Sequence, residues 1–141
     1  SSDGKRRRAL LPGLVGDQQR LVNYYAIYPN LLLTLHPDYM TTVTIRPQSP
    51  ERTTLVAEWH FHIDEIAQPG FVYEDAVEFW DRTNREDWEI SERAQRGISS
   101  RGYTPGPYST REAQLWDFDR FVDGRVTWTA SPRTTRDDDL A

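Results

Sequence analysis

From Tyr73 to Arg96 the chain keeps a helical spacing without a break, and Gly97 stands where such a helix would end. About 24 residues at a rise of about 1.5 Å each make a rod of about 36 Å. A rod of that length crosses the full width of a small sheet, so it must lie on something wide and apolar. Along it, Glu78, Glu86, Glu89 and Glu92 alternate with Arg82, Arg85, Arg93 and Arg96, as solvated helix charges do. Asp87 stands apart from them. It shares a face with Trp80 and Ala94, one heptad before and after it, and Asn84, Ser91 and Gln95 flank that face. An acid between an indole and small residues is expected to be half-buried, which makes Asp87 the candidate for chemistry.

The surface for the rod comes before it in the chain. Leu21 to Leu35, rich in Tyr, Ile and Leu, reads as strand with a bulge or break at Pro29-Asn30. His36-Pro37-Asp38 is turn chemistry. Tyr39, Thr41, Val43 and Ile45 then alternate with Met40, Thr42, Thr44 and Arg46. After a turn over Pro47 to Arg52, the stretch Thr53 to Ile63 alternates again. Leu55, Ala57, Trp59, Phe61 and Ile63 form one face; Thr54, Val56, Glu58, His60 and His62 form the other. Short turns between neighbours predict an antiparallel meander with one face on the core. Strands first and helices afterwards make the fold α+β, with the helices gathered on one face of the sheet.

Gln68-Pro69-Gly70 is a turn before the long helix, and Ser99 to Pro107 is a loop after it. Ser109-Thr110-Arg111-Glu112 has the form of a capping box, and Leu115, Phe118 and Val122 give a second helix its apolar stripe, with Gly124 at its end. Val126 to Thr129 reads as a short extended piece. Residues 131–141, with Asp137-Asp138-Asp139, read as a disordered tail. Residues 1–20 read as an irregular lead-in: a basic run from Lys5 to Arg8, then Leu10, Leu11 and Leu14 around Pro12-Gly13. That leaves residues 21–130 as one body. The first residue is not Met, and the start reads like the interior of a longer protein.

A net charge of −5 argues against nucleic acid as a partner. Without Cys, these residues hold no disulfide, zinc–thiolate site or iron–sulfur cluster. No apolar run has the length of a membrane span and no signal peptide is visible, so a soluble, cytoplasmic protein is expected. Nucleophile motifs and phosphate-binding glycine loops are missing from these residues. His60-Phe61-His62 puts two imidazoles on one side of a strand and, with Asp87, would make a two-His, one-carboxylate metal site. Strand alternation opposes this: both His share the face of Thr54 and Glu58, away from the side the helix must cover. His36, before Pro37, looks incidental.

The order of residues resembles a family. It runs Tyr28-Pro29-Asn30-Leu31-Leu32-Leu33, the strand Thr53 to Phe61, then Phe79-Trp80-Asp81, Asn84-Arg85-Glu86-Asp87-Trp88, Glu92, Gln95-Arg96-Gly97-Ile98-Ser99-Ser100. Tyr103, Pro105-Gly106-Pro107-Tyr108-Ser109, Glu112, Phe118 and Phe121 follow. This resembles the C-terminal part of the catalytic domain in α subunits of Rieske non-haem iron oxygenases of the ring-hydroxylating type, from about Leu21 to Phe121.

The resemblance implies a helix-grip (START-like) fold, an antiparallel sheet wrapped around a long C-terminal helix, here as an incomplete domain. It implies that Asp87 is the carboxylate ligand of a mononuclear Fe(II), with two His supplied by an earlier Asp-x-x-His-x-x-x-x-His motif that these residues lack. A carboxylate and two imidazoles hold such a metal while leaving positions open for O2. Trp80, Thr83 and Asn84 would line the substrate pocket. Glu112 belongs to the family pattern too, and a capping box explains it. The 2Fe–2S Rieske cluster needs Cys and His ligands from a preceding N-terminal part. Electrons would come from NAD(P)H through a reductase or ferredoxin, and the α subunits would form a homotrimer. The whole enzyme would be a mono- or dioxygenase that hydroxylates or demethylates a small organic substrate, and the piece alone would be inactive. Tyr24, Tyr25, Tyr28 and Trp80 suit an aromatic ring or a quaternary ammonium equally. The rival reading is a non-catalytic helix-grip module that binds an apolar ligand.

Overall fold

A computed structural model describes residues 5–125. They belong to two compact units, divided between Pro105 and Gly106. In the first unit, four strands run antiparallel in chain order: β1 (Asn23–Ile27), β2 (Leu31–Leu35), β3 (Met40–Ser49) and β4 (Arg52–His60). The pairs Thr41↔Trp59, Val43↔Ala57 and Ile45↔Leu55 place the alternating residues on one face, and Met40↔His60 and Thr42↔Glu58 fall on the other. Register is thus the one the hydrophobic pattern demands.

Three boundaries differ from the sequence expectation. The interruption at Pro29-Asn30 is a full reversal, so Leu21 to Leu35 makes a hairpin of β1 and β2. Asn30 stitches that turn to β3: its carbonyl accepts from Ile45 N–H at 2.8 Å and its Nδ2 donates to the Ile45 carbonyl at 3.1 Å. Pro47 lies inside β3, beside a register shift between Pro47 and Ser49 that accommodates a residue without an N–H. Strand β4 ends at His60, because His62 caps a single helical turn, α1 (Ile63–Ile66). Gly70, at φ 81°, then makes the tight turn that leads to the long helix.

The long helix, α2, spans Glu74–Ile98, close to the predicted rod. Glu74 and Asp75 in its first turn and Arg96 in its last complement the helix dipole. It continues through Gly97 because Ser99 closes it: the backbone N–H and the hydroxyl of Ser99 both donate to the Gln95 carbonyl.

Close packing is concentrated where the start of α2 meets the β2–β3 turn. Ala76 is fully buried, as are Tyr39, Thr41, Asp38 and Arg8 nearly so. Phe61 packs against Tyr39 and meets Phe71 edge-on, with ring centroids 5.7 and 5.2 Å apart. Toward its other end α2 faces the β3–β4 hairpin across a groove of about 640 Å³, lined by Trp88, Ser91 and Gln95 on one side and Arg52, Thr53 and Leu55 on the other. Leu55 and Trp88 both stay 39% exposed there. Packing on Leu55, Trp59 and Phe61 was expected along the whole rod; it is tight only at the Phe61 end.

In the second unit, α3 (Ala113–Asp123) begins four residues after the predicted cap, Ser109. Only half the capping box forms: Glu112 Oε2 accepts from the Ser109 N–H at 2.6 Å, while Glu112 itself takes the cap position. That bond holds the Glu112 carboxyl below its usual range. Tyr108 donates its hydroxyl hydrogen to Asp119 and meets Trp116 edge-on. Gly124 closes the helix as expected. The extended piece at Val126 to Thr129 and the tail at residues 131–141 lie outside the described residues.

Candidate functional site

Asp87 sits midway along α2, and its local chemistry is unlike that of its neighbours. Arg85 Nε donates to Asp81 Oδ2 at 2.7 Å, and Arg93 pairs with Glu89, both at helix spacing i,i+4. The residues three and four away from Asp87 are Thr83, Asn84, Ile90 and Ser91, so no cation reaches it along the helix. Among the described residues its carboxylate takes no hydrogen bond or ion pair.

The side chain is exposed, which corrects the expectation of a half-buried acid. Asp87 lies at the border of two helix faces. On one side are Trp80, bonded to Tyr39, and Ser91, which lines the groove facing the β3–β4 hairpin. On the other is the stripe Phe79, Thr83, Ile90, along which Phe79 is 38% and Ile90 64% exposed. Arg7 of the lead-in lines a hollow against Phe79 and Thr83, whereas Ile90 and Asp87 stay exposed.

The three expected pocket residues divide between these faces. Trp80 is half-buried; its Nε1–H donates to the Tyr39 hydroxyl at 3.0 Å and its indole meets His36 edge-on at 5.6 Å. Asn84 is half-buried on the same side. Thr83 lies on the stripe and donates its hydroxyl hydrogen to the Phe79 carbonyl at 3.1 Å. It lines a hollow of about 260 Å³ with Phe79 and Glu86.

The two His of the alternative metal site are separated. His60 is exposed on the outer sheet face, 3.0 Å from the Thr42 hydroxyl and beside Glu58, as alternation predicts. His62 is beyond the strand and does not share its alternation. Its Nδ1 accepts from the Asp64 N–H at 3.3 Å, so it acts as a helix cap. Among the described residues no three His, Asp or Glu side chains gather as a metal site would require.

Sequence reasoning missed the cluster that anchors α2. The Arg8 side chain is 3% exposed and reaches two acids. Its Nη1 and Nη2 donate to the two oxygens of Asp75, at 2.6 and 3.3 Å, and Nη1 also donates to the Val72 carbonyl at 2.9 Å. Its Nε is 3.2 Å from Asp38 Oδ2, an ion pair too bent to count as a hydrogen bond. The guanidinium lies over the Tyr39 and Phe61 rings, 5.3 and 5.2 Å from their centroids.

The two acids respond differently. Burial would raise the Asp75 carboxyl, but the hydrogen bond and charge of Arg8 together hold it below its usual range. Burial wins at Asp38 and lifts its carboxyl against the opposing charge of Arg8. His36, stacked on Tyr39 at 4.1 Å, is pushed down to about 4 by burial, with the Arg8 charge adding to it. Its Nε2 is buried without a partner. Far from incidental, His36 forms part of the packing. No local signal separates Arg8 from Arg6 and Arg7: its partners are 30 and 67 residues away.

Comparison with known proteins bears on this arrangement. A family model described as the ring hydroxylating alpha subunit (catalytic domain) matches residues 1–128. The chain belongs to this Rieske-type oxygenase family. Within it, the chain is 36% identical over 72 residues to a glycine betaine monooxygenase oxygenase subunit of Pseudomonas aeruginosa, covering 51% of the chain and 17% of that protein. A protein of the same name from Chromohalobacter salexigens is 37% identical over 84 residues, 57% of the chain and 18% of the relative. A chloroplastic choline monooxygenase of Spinacia oleracea is 28% identical over 93 residues, 65% of the chain and 21% of the relative. The chain thus matches only about a fifth of the length of these relatives. The family's non-haem iron needs several ligands. The described residues fit one ligand position, the unpaired carboxylate of Asp87, and not the whole site. Among the described residues no helix is long and apolar enough to cross a membrane.

Proposed function

We propose that this chain is the portion of a Rieske-type oxygenase catalytic domain that supplies the carboxylate ligand of a mononuclear Fe(II), and that Asp87 is that ligand. One observation carries the reading: among the described residues Asp87 is an exposed carboxylate on the central helix with no hydrogen-bond or ion-pair partner. An acid with both oxygens free accepts a hard cation without first breaking an ion pair. When bound, the iron would activate O2 for insertion into substrate.

The residues of this chain have simpler tasks. The helix holds the Asp87 oxygens in a fixed direction, Thr83 and Ile90 border the approach to them, and Trp80 fixes the helix on the sheet. On this reading the two His ligands and the 2Fe–2S cluster lie elsewhere in the subunit, the fold is completed as a helix grip, and electrons arrive from NAD(P)H through a reductase or ferredoxin. The subunits assemble as a homotrimer. The names of the relatives favour a small quaternary ammonium over an aromatic ring as the substrate. Hydroxylation of an N-methyl group, leading to demethylation, is then the reaction class.

The test is Asp87→Ala in the full-length subunit. The variant should lose mononuclear iron and turnover while keeping the visible spectrum of the 2Fe–2S cluster. Retention of both iron content and turnover would refute the assignment.

A further inference from the structure

Helix α2 carries the proposed iron ligand, and among the described residues its side-chain bonds to other elements lie in its first two turns. Arg8 grips Asp75 and the Val72 carbonyl there, and ties them to Asp38 in the β2–β3 turn. Trp80 bonds to Tyr39 from the same turn. Beyond Trp80 the helix faces the open groove beside Leu55. Within the described residues Asp87 therefore lies beyond the last turn that side-chain bonds tie to the sheet.

The lengths make this matter. Asp87 is twelve residues past Asp75, about 18 Å along the axis, so a tilt of about 5° at Asp75 would shift it by about 1.6 Å. A displacement of about 1 Å is enough to impair a reacting geometry by about a hundredfold.

We infer that Arg8 is a positioning residue: its fork on Asp75 and Val72, held against Asp38, sets the tilt and rotation of α2 and through them the place of the Asp87 carboxylate. The inference rests on the proposed role of Asp87. The fork is essential to it. A guanidinium offers five donors in a plane and can serve two acids and a carbonyl together. An ammonium at the same place keeps the charge and loses the fixed geometry.

The experiment uses the full-length oxygenase subunit with Arg8→Lys. It measures iron affinity and the EPR spectrum of the nitric oxide-treated Fe(II) site, beside thermal melting and the cluster spectrum. Arg8→Lys should weaken iron binding and should change the EPR line shape. A role in fold stability alone would lower the melting point and leave the EPR line shape as it was. Asp75→Asn is the second variant. It keeps an oxygen for Nη1 and leaves Arg8 paired with Asp38, so it folds even where Arg8→Lys does not, and it should move the same two readouts in the same direction. Unchanged iron affinity and line shape in a folded variant would overturn the inference. Asp87→Ala serves as the control. If it retains iron, the ligand assignment has failed; if it loses iron while both other variants behave as wild type, only the positioning role has failed.

Discussion

His36 shows how a residue's surroundings override its local sequence. Before Pro37 it reads as part of a turn, but it lies between the Tyr39 ring and the Trp80 edge, within reach of the charge of the buried Arg8. Its folded pKa of about 4 lies below the ordinary 6.5. Between those values the unfolded chain binds a proton that the folded chain refuses, so stability rises with pH across that window. Read downward, stability is lost as pH falls from about 6.5 toward 4, with Asp75 adding to the loss at still lower pH because its folded pKa is depressed. His36→Phe keeps a ring against Tyr39 and removes the proton site. Its melting temperature should vary less than wild type's between pH 6.5 and 4, and equal slopes would show that His36 does not set that limb. None of this was legible in the sequence. Alternation and turn chemistry are local signals, and the burial of His36 depends on Arg8 and Trp80, which are distant in the chain. Asp87 was the opposite case. Its lack of a cation at helix spacing is a local property and could be read directly, but its exposure depends on what covers the helix and could not.

Among the elements, the meander was readable because period-two alternation fixes both face and register, and Thr41↔Trp59 and Ile45↔Leu55 pair as the pattern requires. The end of β4 was not readable, since apolar and polar residues keep alternating through Phe61 to Ile63 while His62 leaves the sheet to cap α1. Helix α2 was readable in extent but not in its uneven attachment. Trp80 is where this can be measured. Its indole both packs on the β2–β3 turn and bonds to Tyr39. Trp80→Phe keeps most of the packing and drops the bond, which should lower stability by about 1 kcal/mol. Trp80→Ala removes both and should cost about 3 kcal/mol, the low end for an aromatic since the residue is only half-buried. Urea unfolding of both variants checks this. Equal losses would mean that the hydrogen bond, and not the ring, holds this turn of the helix.

For the whole molecule, what matters is how many ligands the chain can bring to one metal. Asp87 is on α2, which lies against the sheet face of Tyr39, Thr41 and Trp59. His60 projects from the opposite face beside Thr42 and Glu58, and His62 is engaged with the start of α1. No rotation of side chains carries His60 through a sheet to Asp87. One carboxylate, strongly hydrated when free, gains little by exchanging water for a ferrous ion that keeps most of its own shell, and two imidazoles are what would make the exchange favourable. The 141-residue chain by itself should therefore bind Fe(II) weakly in a calorimetric titration under anaerobic conditions. Replacing His60 and His62 together by Ala should leave that weak binding unchanged. Tight one-to-one binding that vanishes in the double variant would instead establish a self-contained His-x-His site and remove the need for ligands from elsewhere. Weak binding that is indifferent to both His, set beside the loss of iron on Asp87→Ala in the full-length subunit, would identify Asp87 as a ligand whose partners come from another part of the subunit.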